Sequence, residues 1–245
     1  TAYEIPKRDW SSDVCSSDLQ KRDPYYTSAQ KQLAETLARA PNVNRAKNVV
    51  LFIGDGYGVS TMTAARIFRG QSLKQDGPSH KLTHETLPYA ALARTYAHDS
   101  LVTDSAPSAV AMTTGVKTNN NMLGLSGEAK WRECEASKGK DVTTIGEIGK
   151  SLGMSVGVVS TARVTDATPA ALYAHAPHRS WESDADLSEE AAKNGCVDIA
   201  RQVVEFAFGD GLDVVFGGGR MNFLPNTMND PEYAQQKGKR KDGRD

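Results

Sequence analysis

The chain has 245 residues, enough for one large domain or two small ones. Its 29 lysines and arginines nearly cancel its 30 aspartates and glutamates, leaving a formal net charge of −1. That balance removes the sequence-wide electrostatic case for a nucleic-acid or membrane-surface binder. A hydrophobic share of 39% with 24% charged residues excludes wholesale disorder. The longest apolar run, residues 49–53, is far short of the roughly 20 residues a membrane span needs.

The first 25 residues read as an N-terminal arm. Within it, residues 9–19 are Ser/Asp-rich and aperiodic, either a floppy segment or a foreign insertion, and they carry no functional weight, Cys15 included. The chain opens at Thr1 with no signal peptide and closes in the charged run 237–245, so it reads as a piece of something longer. From residue 26 the pattern is globular. Residues 26–40 predict a helix, with Thr27 and Gln30 as a capping box and Ala29, Leu33 and Leu37 on one face. Residues 48–53 form a continuous apolar run that suits a central strand covered on both faces. It ends in Gly54-Asp55-Gly56, and a helical pattern follows over 60–68.

A helix is predicted from Thr103-Asp104-Ser105 to Thr114, stopped by Gly115. Residues 144–152 predict another, with Thr144 and Glu147 as a capping box and Ile145, Ile148 and Leu152 facing inward. A buried strand over 155–160 follows. Residues 198–208 form a third helical pattern, with Ile199, Val203 and Phe206 inward, and lead through Gly209-Asp210-Gly211 into a strand over 213–216 that ends in Gly217-Gly218-Gly219-Arg220. This alternation implies an α/β fold, a mostly parallel central sheet flanked by helices on both faces, over residues 26–245. In such a sheet ligands bind beyond the carboxyl ends of the strands, where Asp55, residues 161–168 and the glycine triplet fall.

Several residues there have the chemistry of a site. Asp55 lies between glycines that leave room beside its carboxylate, although an Asp-Gly turn would look the same. Asp104 or Ser105 is either a plain helix N-cap or, because backbone N–H groups and the helix dipole favour anions there, the edge of a phosphate site with Ser105 as nucleophile. No histidine is placed to act as its base, which points to a metal as activator. Asp166 and Thr168, two residues apart in an extended stretch, would converge their oxygens on a hard cation. Arg179 offers a planar fork for phosphate. His80 and His84 have helical metal-pair spacing, but Pro88 and the short segment argue against a helix. The glycines fit neither GxGxxG nor a phosphate-binding P-loop. Cys134 and Cys196 have no CxxC partners, and their spacing leaves open a disulfide or two buried thiols.

Three stretches together resemble the alkaline phosphatase family: residues 48–58, 102–117 around Thr-Asp-Ser-Ala, and 153–179 through Asp166-Ala-Thr168 to Arg179. The order and spacing agree over about residues 26–225. The resemblance implies a metal-dependent phosphate monoester hydrolase with two zinc ions and one magnesium. Ser105 would form a phosphoserine intermediate and contact a zinc. Asp55 would bridge a zinc and the magnesium. Asp166 and Thr168 would be magnesium ligands. Arg179 would hold the phosphoryl oxygens and Asp104 would orient it. The resemblance also implies a Cys134–Cys196 disulfide, a homodimer and a periplasmic or secreted location.

The departures are as informative. Family members run well beyond this length, and their later part supplies the remaining zinc and magnesium ligands, none of which is matched here. A zinc site needs three or four protein ligands, so this chain reads as a fragment, weak or inactive alone, with a sheet incomplete at its C-terminus. Asp166 stands where some relatives carry histidine, which favours magnesium. The alternatives are a related metal-dependent phosphodiesterase and a non-catalytic phosphate-binding remnant. Ser105 speaks against sulfatases, which prefer a modified cysteine.

Overall fold

The computed structural model describes residues 18–245. The arm up to residue 17, most of the 9–19 segment and Cys15 lie outside the described residues. The chain divides into two compact units, Thr1–Phe52 with Arg66–Ala91 and Ile53–Ala65 with Leu92–Asp245.

In the first unit, α1 (Asp18–Arg22) leads into α2 (Pro24–Leu37). Helix α2 starts earlier than its expected first residue, 26, because Asp23, not Thr27, is the cap. The Asp23 carboxylate accepts from the Tyr25 and Tyr26 amides at 2.9 and 3.0 Å. Pro24 follows at the first helical position, where a missing N–H costs nothing. Helix α3 (Val59–Ser72) extends past the expected 60–68, and its residues from Arg66 onward belong to this unit. Residues 48–53 are a correction: they form no strand, and Phe52 is 90% exposed. An apolar run specifies burial but not a ladder partner, and strand structure needs both.

The second unit is α/β with parallel pairing, as the alternation predicts. Strand β1 (Gly157–Arg163) pairs with β2 (Val214–Gly218), Gly157 opposite Val214 and Val159 opposite Phe216, with an irregularity before Arg163 meets Gly218. Both strands are displaced toward the C-terminus from the expected 155–160 and 213–216. Helices α4 (Ser105–Thr114) and α7 (Ala167–Ala170) pack together through alanines, among them Ala106, Ala109, Ala167 and Ala170, which permits close helix approach. The Thr113 hydroxyl donates to the Ala171 carbonyl at 2.8 Å across this contact. Helix α9 (Ile199–Val204), capped by Asp198, adds Ile199 and Val203, and Phe206 just beyond it, to the same core, on the face the pattern predicts.

Helix α6 (Ile145–Ser151) has the expected Thr144/Glu147 capping box but the opposite orientation. Ile145, Ile148 and Leu152 are exposed, while Gly146, Glu147, Gly149 and Lys150 are buried. Two causes outweigh the apolar stripe. A Cβ on Gly146 would sit 2.6 Å from the Leu172 carbonyl oxygen, so only glycine permits this approach. The buried charges have partners: Glu147 accepts from His175 Nε2 at 2.8 Å, and Lys150 Nζ lies 2.5 and 2.9 Å from Asp210 and Asp213. A disulfide joins Cys134, at the start of α5 (Cys134–Ser137), to Cys196, beyond α8 (Glu189–Lys193). Cys134 packs against Trp181 and Ala191 in a satellite core.

Two outcomes are expected. Replacing both cysteines by serine frees a loop of 62 residues in the unfolded chain, which should lower unfolding free energy by about 4 kcal/mol in denaturant titrations. The second concerns His175 and Glu147. Burial opposes protonation of His175, but Glu147 and the Gly124 carbonyl outweigh it and raise its pKa above 6.5. Burial also opposes ionisation of Glu147, yet His175 and the Thr144 N–H hold its pKa below 4.5. The raised histidine contributes stability in full below pH 6.5, lost as pH rises through its folded value. The depressed glutamate contributes in full above pH 4.5, lost as pH falls through its folded value. The stability gap between the parent and His175→Gln should therefore be widest between pH 4.5 and 6.5 and shrink on the alkaline side, as read by urea midpoints.

Candidate functional site

The N-terminus of α4 organises the site. Asp104 is its N-cap, in extended geometry, with Oδ1 accepting from the Ala106 amide at 2.6 Å and Oδ2 from the Asn121 amide at 2.5 Å. The cap and the nucleophile-or-cap alternatives of the sequence therefore separate: Asp104 caps, and Ser105 occupies the first helical position with its hydroxyl free of capping duty. Gly115 ends α4 at φ 74°, as expected.

Arg179 connects three of the predicted residues. Its Nη1 donates to Asp104 Oδ1 at 3.0 Å and to Ser105 Oγ at 2.7 Å, and its Nη2 donates to Asp166 Oδ1 at 2.9 Å. The arginine is held from its backbone too, since its N–H donates to the Asn121 carbonyl at 2.7 Å. Residues 75 positions apart in sequence thus meet at one guanidinium.

Asp166 and Thr168 do not share an extended stretch: Asp166 is extended at φ −69° and ψ 160°, and the helix begins at Ala167. Asp166 is the N-cap of α7, accepting from the Ala167 amide at 2.7 Å, and Thr168 lies in the first helical turn. Pro169 does not prevent this, because the first-turn N–H it lacks would have no intrahelical partner. The Asp166 Oδ2 accepts from Arg163 Nη2 at 3.0 Å. Burial opposes ionisation of Asp166, but the Ala167 N–H, Arg179 and Arg163 outweigh it and hold its carboxyl below the usual range. Asp55, in the Gly54-Asp55-Gly56 turn, accepts from the Thr168 hydroxyl through Oδ2 at 2.7 Å. All six predicted residues are therefore joined by direct contacts or by the two-residue step from Asp166 to Thr168.

Arg163 is the member that carries no motif; the signal for it is only its position three residues before Asp166 at the end of β1. His178, next to Arg179, stacks at a tilt on Trp131 with ring centroids 5.7 Å apart. Burial, then Arg132 and Arg179, hold its pKa below the usual histidine value.

Asp55, Asp166 and Thr168 present carboxylate and hydroxyl oxygens, the hard donors magnesium takes while keeping several waters. Among the described residues no three His, Cys, Asp or Glu side chains gather into the three- or four-ligand group a zinc site needs.

A model of the alkaline phosphatase family matches residues 46–245. The tissue-nonspecific alkaline phosphatase of Gallus gallus is 43% identical over 243 residues, which cover 95% of this chain and 46% of the relative. The alkaline phosphatase of Gadus morhua is 43% identical over 220 residues, covering 88% of this chain and 46% of the relative. A crystal structure of a cold-active alkaline phosphatase from the psychrophile Shewanella sp. matches with a TM-score of 0.50 at 30% identity, covering 70% of this chain and 36% of that one. The chain spans about half the length of the curated relatives it matches.

The cap carries the local stability of the site. Asp104→Ala should lower unfolding free energy by about 1–2 kcal/mol in urea titrations, the usual loss for a helix cap.

Proposed function

The chain belongs to the alkaline phosphatase family, and from that premise we propose that it carries the serine, arginine and magnesium side of a site that hydrolyses phosphate monoesters through a phosphoserine. The observation that carries the reading is Arg179 reaching Ser105 Oγ and Asp166 at once. In this reading the Ser105 oxygen attacks phosphorus in line. A bond forms from Oγ to phosphorus, the bond to the leaving oxygen breaks, and the alcohol departs with the proton Ser105 gives up. Water then attacks the phosphoserine and restores the hydroxyl, releasing inorganic phosphate.

The chain's own groups support each part. The positive guanidinium beside Oγ favours the deprotonated serine. The same guanidinium and the positive end of the α4 dipole suit the charge that spreads over a transferring phosphoryl group. Asp104 and Asp166 flank Arg179 and fix the plane of its fork. Asp55, Asp166 and Thr168 would hold magnesium, whose charge would supply electrostatic stabilisation beside the reacting groups.

The share of the relatives that is matched, together with the lack of a zinc-type cluster among the described residues, supports reading these residues as part of a longer enzyme. The disulfide supports an oxidising compartment, periplasmic or secreted, since such bonds are rare where thiols are kept reduced. No helix among the described residues is long and apolar enough to cross a membrane. A homodimer belongs to the same reading.

Turnover of p-nitrophenyl phosphate at alkaline pH tests it. The longer enzyme should hydrolyse this ester, lose the activity to a chelator, and lose it by about a thousandfold or more in Ser105→Ala. Normal turnover in that variant would overturn the nucleophile assignment. Residues 1–245 alone should show little turnover, and robust activity would refute the reading as part of a longer enzyme. Phosphate binding without turnover in every form would instead favour the non-catalytic alternative.

A further inference from the structure

We propose that Arg163, braced by Glu182, is a positioning residue that sets the cation affinity of the Asp55–Asp166–Thr168 oxygen group by competing for the Asp166 carboxylate. This rests on the reading of those oxygens as a cation site and adds two residues to which that reading gives no role.

Arg163 stands at the end of β1 with both sides of its guanidinium engaged. Nη2 donates to Asp166 Oδ2 at 3.0 Å and Nε donates to Glu182 Oε2 at 2.8 Å. Glu182 is itself fixed. The same Oε2 accepts from the Thr165 hydroxyl at 2.6 Å and from Asn222 Nδ2 at 2.9 Å. Thr165 and Asn222 are buried, and Asn222 Nδ2 also donates to Thr165 Oγ1 at 2.8 Å. A glutamate held by two buried neutral partners cannot follow a moving arginine, so Arg163 has a fixed anchor on one side and Asp166 on the other.

Gly219, just after β2, belongs to the same device. Gly219 has φ +92°, and a Cβ there would lie 2.8 Å from Arg163 Cβ. Only glycine lets the chain leave β2 so close to the arginine and bring Asn222 under Glu182.

The consequence is electrostatic. Asp166 has each carboxylate oxygen on a guanidinium, Oδ1 on Arg179 and Oδ2 on Arg163. A cation that ligates Oδ2 must displace Arg163 Nη2 and then sit beside its positive charge. The Nε bond to Glu182 keeps Arg163 nearby after displacement, and the Glu182 charge offsets part of the repulsion. Arg163 therefore weakens cation binding and Glu182 strengthens it. The Arg163 side chain is 45% exposed, so replacing it leaves no cavity.

Manganese is the probe, because its electron paramagnetic resonance signal counts free ions directly in a titration of the full chain at low salt. Removing one positive charge this close should make Arg163→Met bind manganese tighter by on the order of tenfold. Arg163→Lys, which keeps the charge, should stay within about threefold of the parent, and Glu182→Gln should bind about threefold or more weaker. Asp166→Asn should abolish the gain that Arg163→Met produces. Binding by Arg163→Met no tighter than by the parent, including undetectable binding in both, overturns the proposal, as does a lysine variant that behaves like the methionine one. If Asp166→Asn weakens binding while Arg163→Met does not strengthen it, the role of Arg163 falls and the cation site stands. If manganese binding is indifferent to Asp166→Asn, the cation-site reading falls with it.

Discussion

The site depends on one guanidinium. Arg179 lies between Asp104, Ser105 and Asp166, and its three side-chain contacts come from residues that no local element could bring together. Charge-assisted bonds of this kind are strong when their geometry is fixed in advance. Here it is fixed at every end: Asp104 by its cap on α4, Asp166 by its cap on α7, and Arg179 by its backbone bond to Asn121. The alanine packing of α4 on α7 sets the distance between the two caps. The core of this unit is thus the ruler for the site.

Short caps make this economical. A carboxylate at a helix N-cap spends one oxygen on a backbone amide and has lone pairs left for a second partner. Asp104 and Asp166 both do this, each adding a contact to Arg179. The same residues that end the loops before α4 and α7 therefore also build a charged cluster from an almost neutral chain. Local arrangement, not net charge, creates the field a phosphate would meet.

Much of this is legible in the chain. A cap at Asp104 or Ser105, of which the structure uses Asp104, the stop at Gly115, the capping box of Thr144 and Glu147, and the inward face of Ile199, Val203 and Phe206 all follow from local rules and stand in the structure. Asp55, Asp166 and Thr168 were legible because the α/β pattern puts ligands just past its expected strands, Asp104 and Ser105 because they open a helix, and Arg179 through the family resemblance. Other readings failed for identifiable reasons. Thr27 yields to Asp23 because a proline follows the latter. The stripe of Ile145, Ile148 and Leu152 faces outward because two glycines on the opposite side allow closer backbone approach, and because His175 and the aspartates near Lys150 satisfy its buried charges. Residues 48–53 have strand composition without strand structure.

The sequence by itself determined the stop at Gly115, the capping box of Thr144 and Glu147, and which side chains have the chemical type of an oxygen donor, nucleophile or phosphate fork, since capping and chemical type are properties of a few adjacent residues. Only the tertiary structure decided that Arg179 bridges Ser105 and Asp166, that Thr168 reaches Asp55, and that Arg163 and Glu182 join the cluster. Those contacts span from 3 to 113 positions, and a contact across the chain depends on how far apart packed elements sit, a distance no local pattern contains.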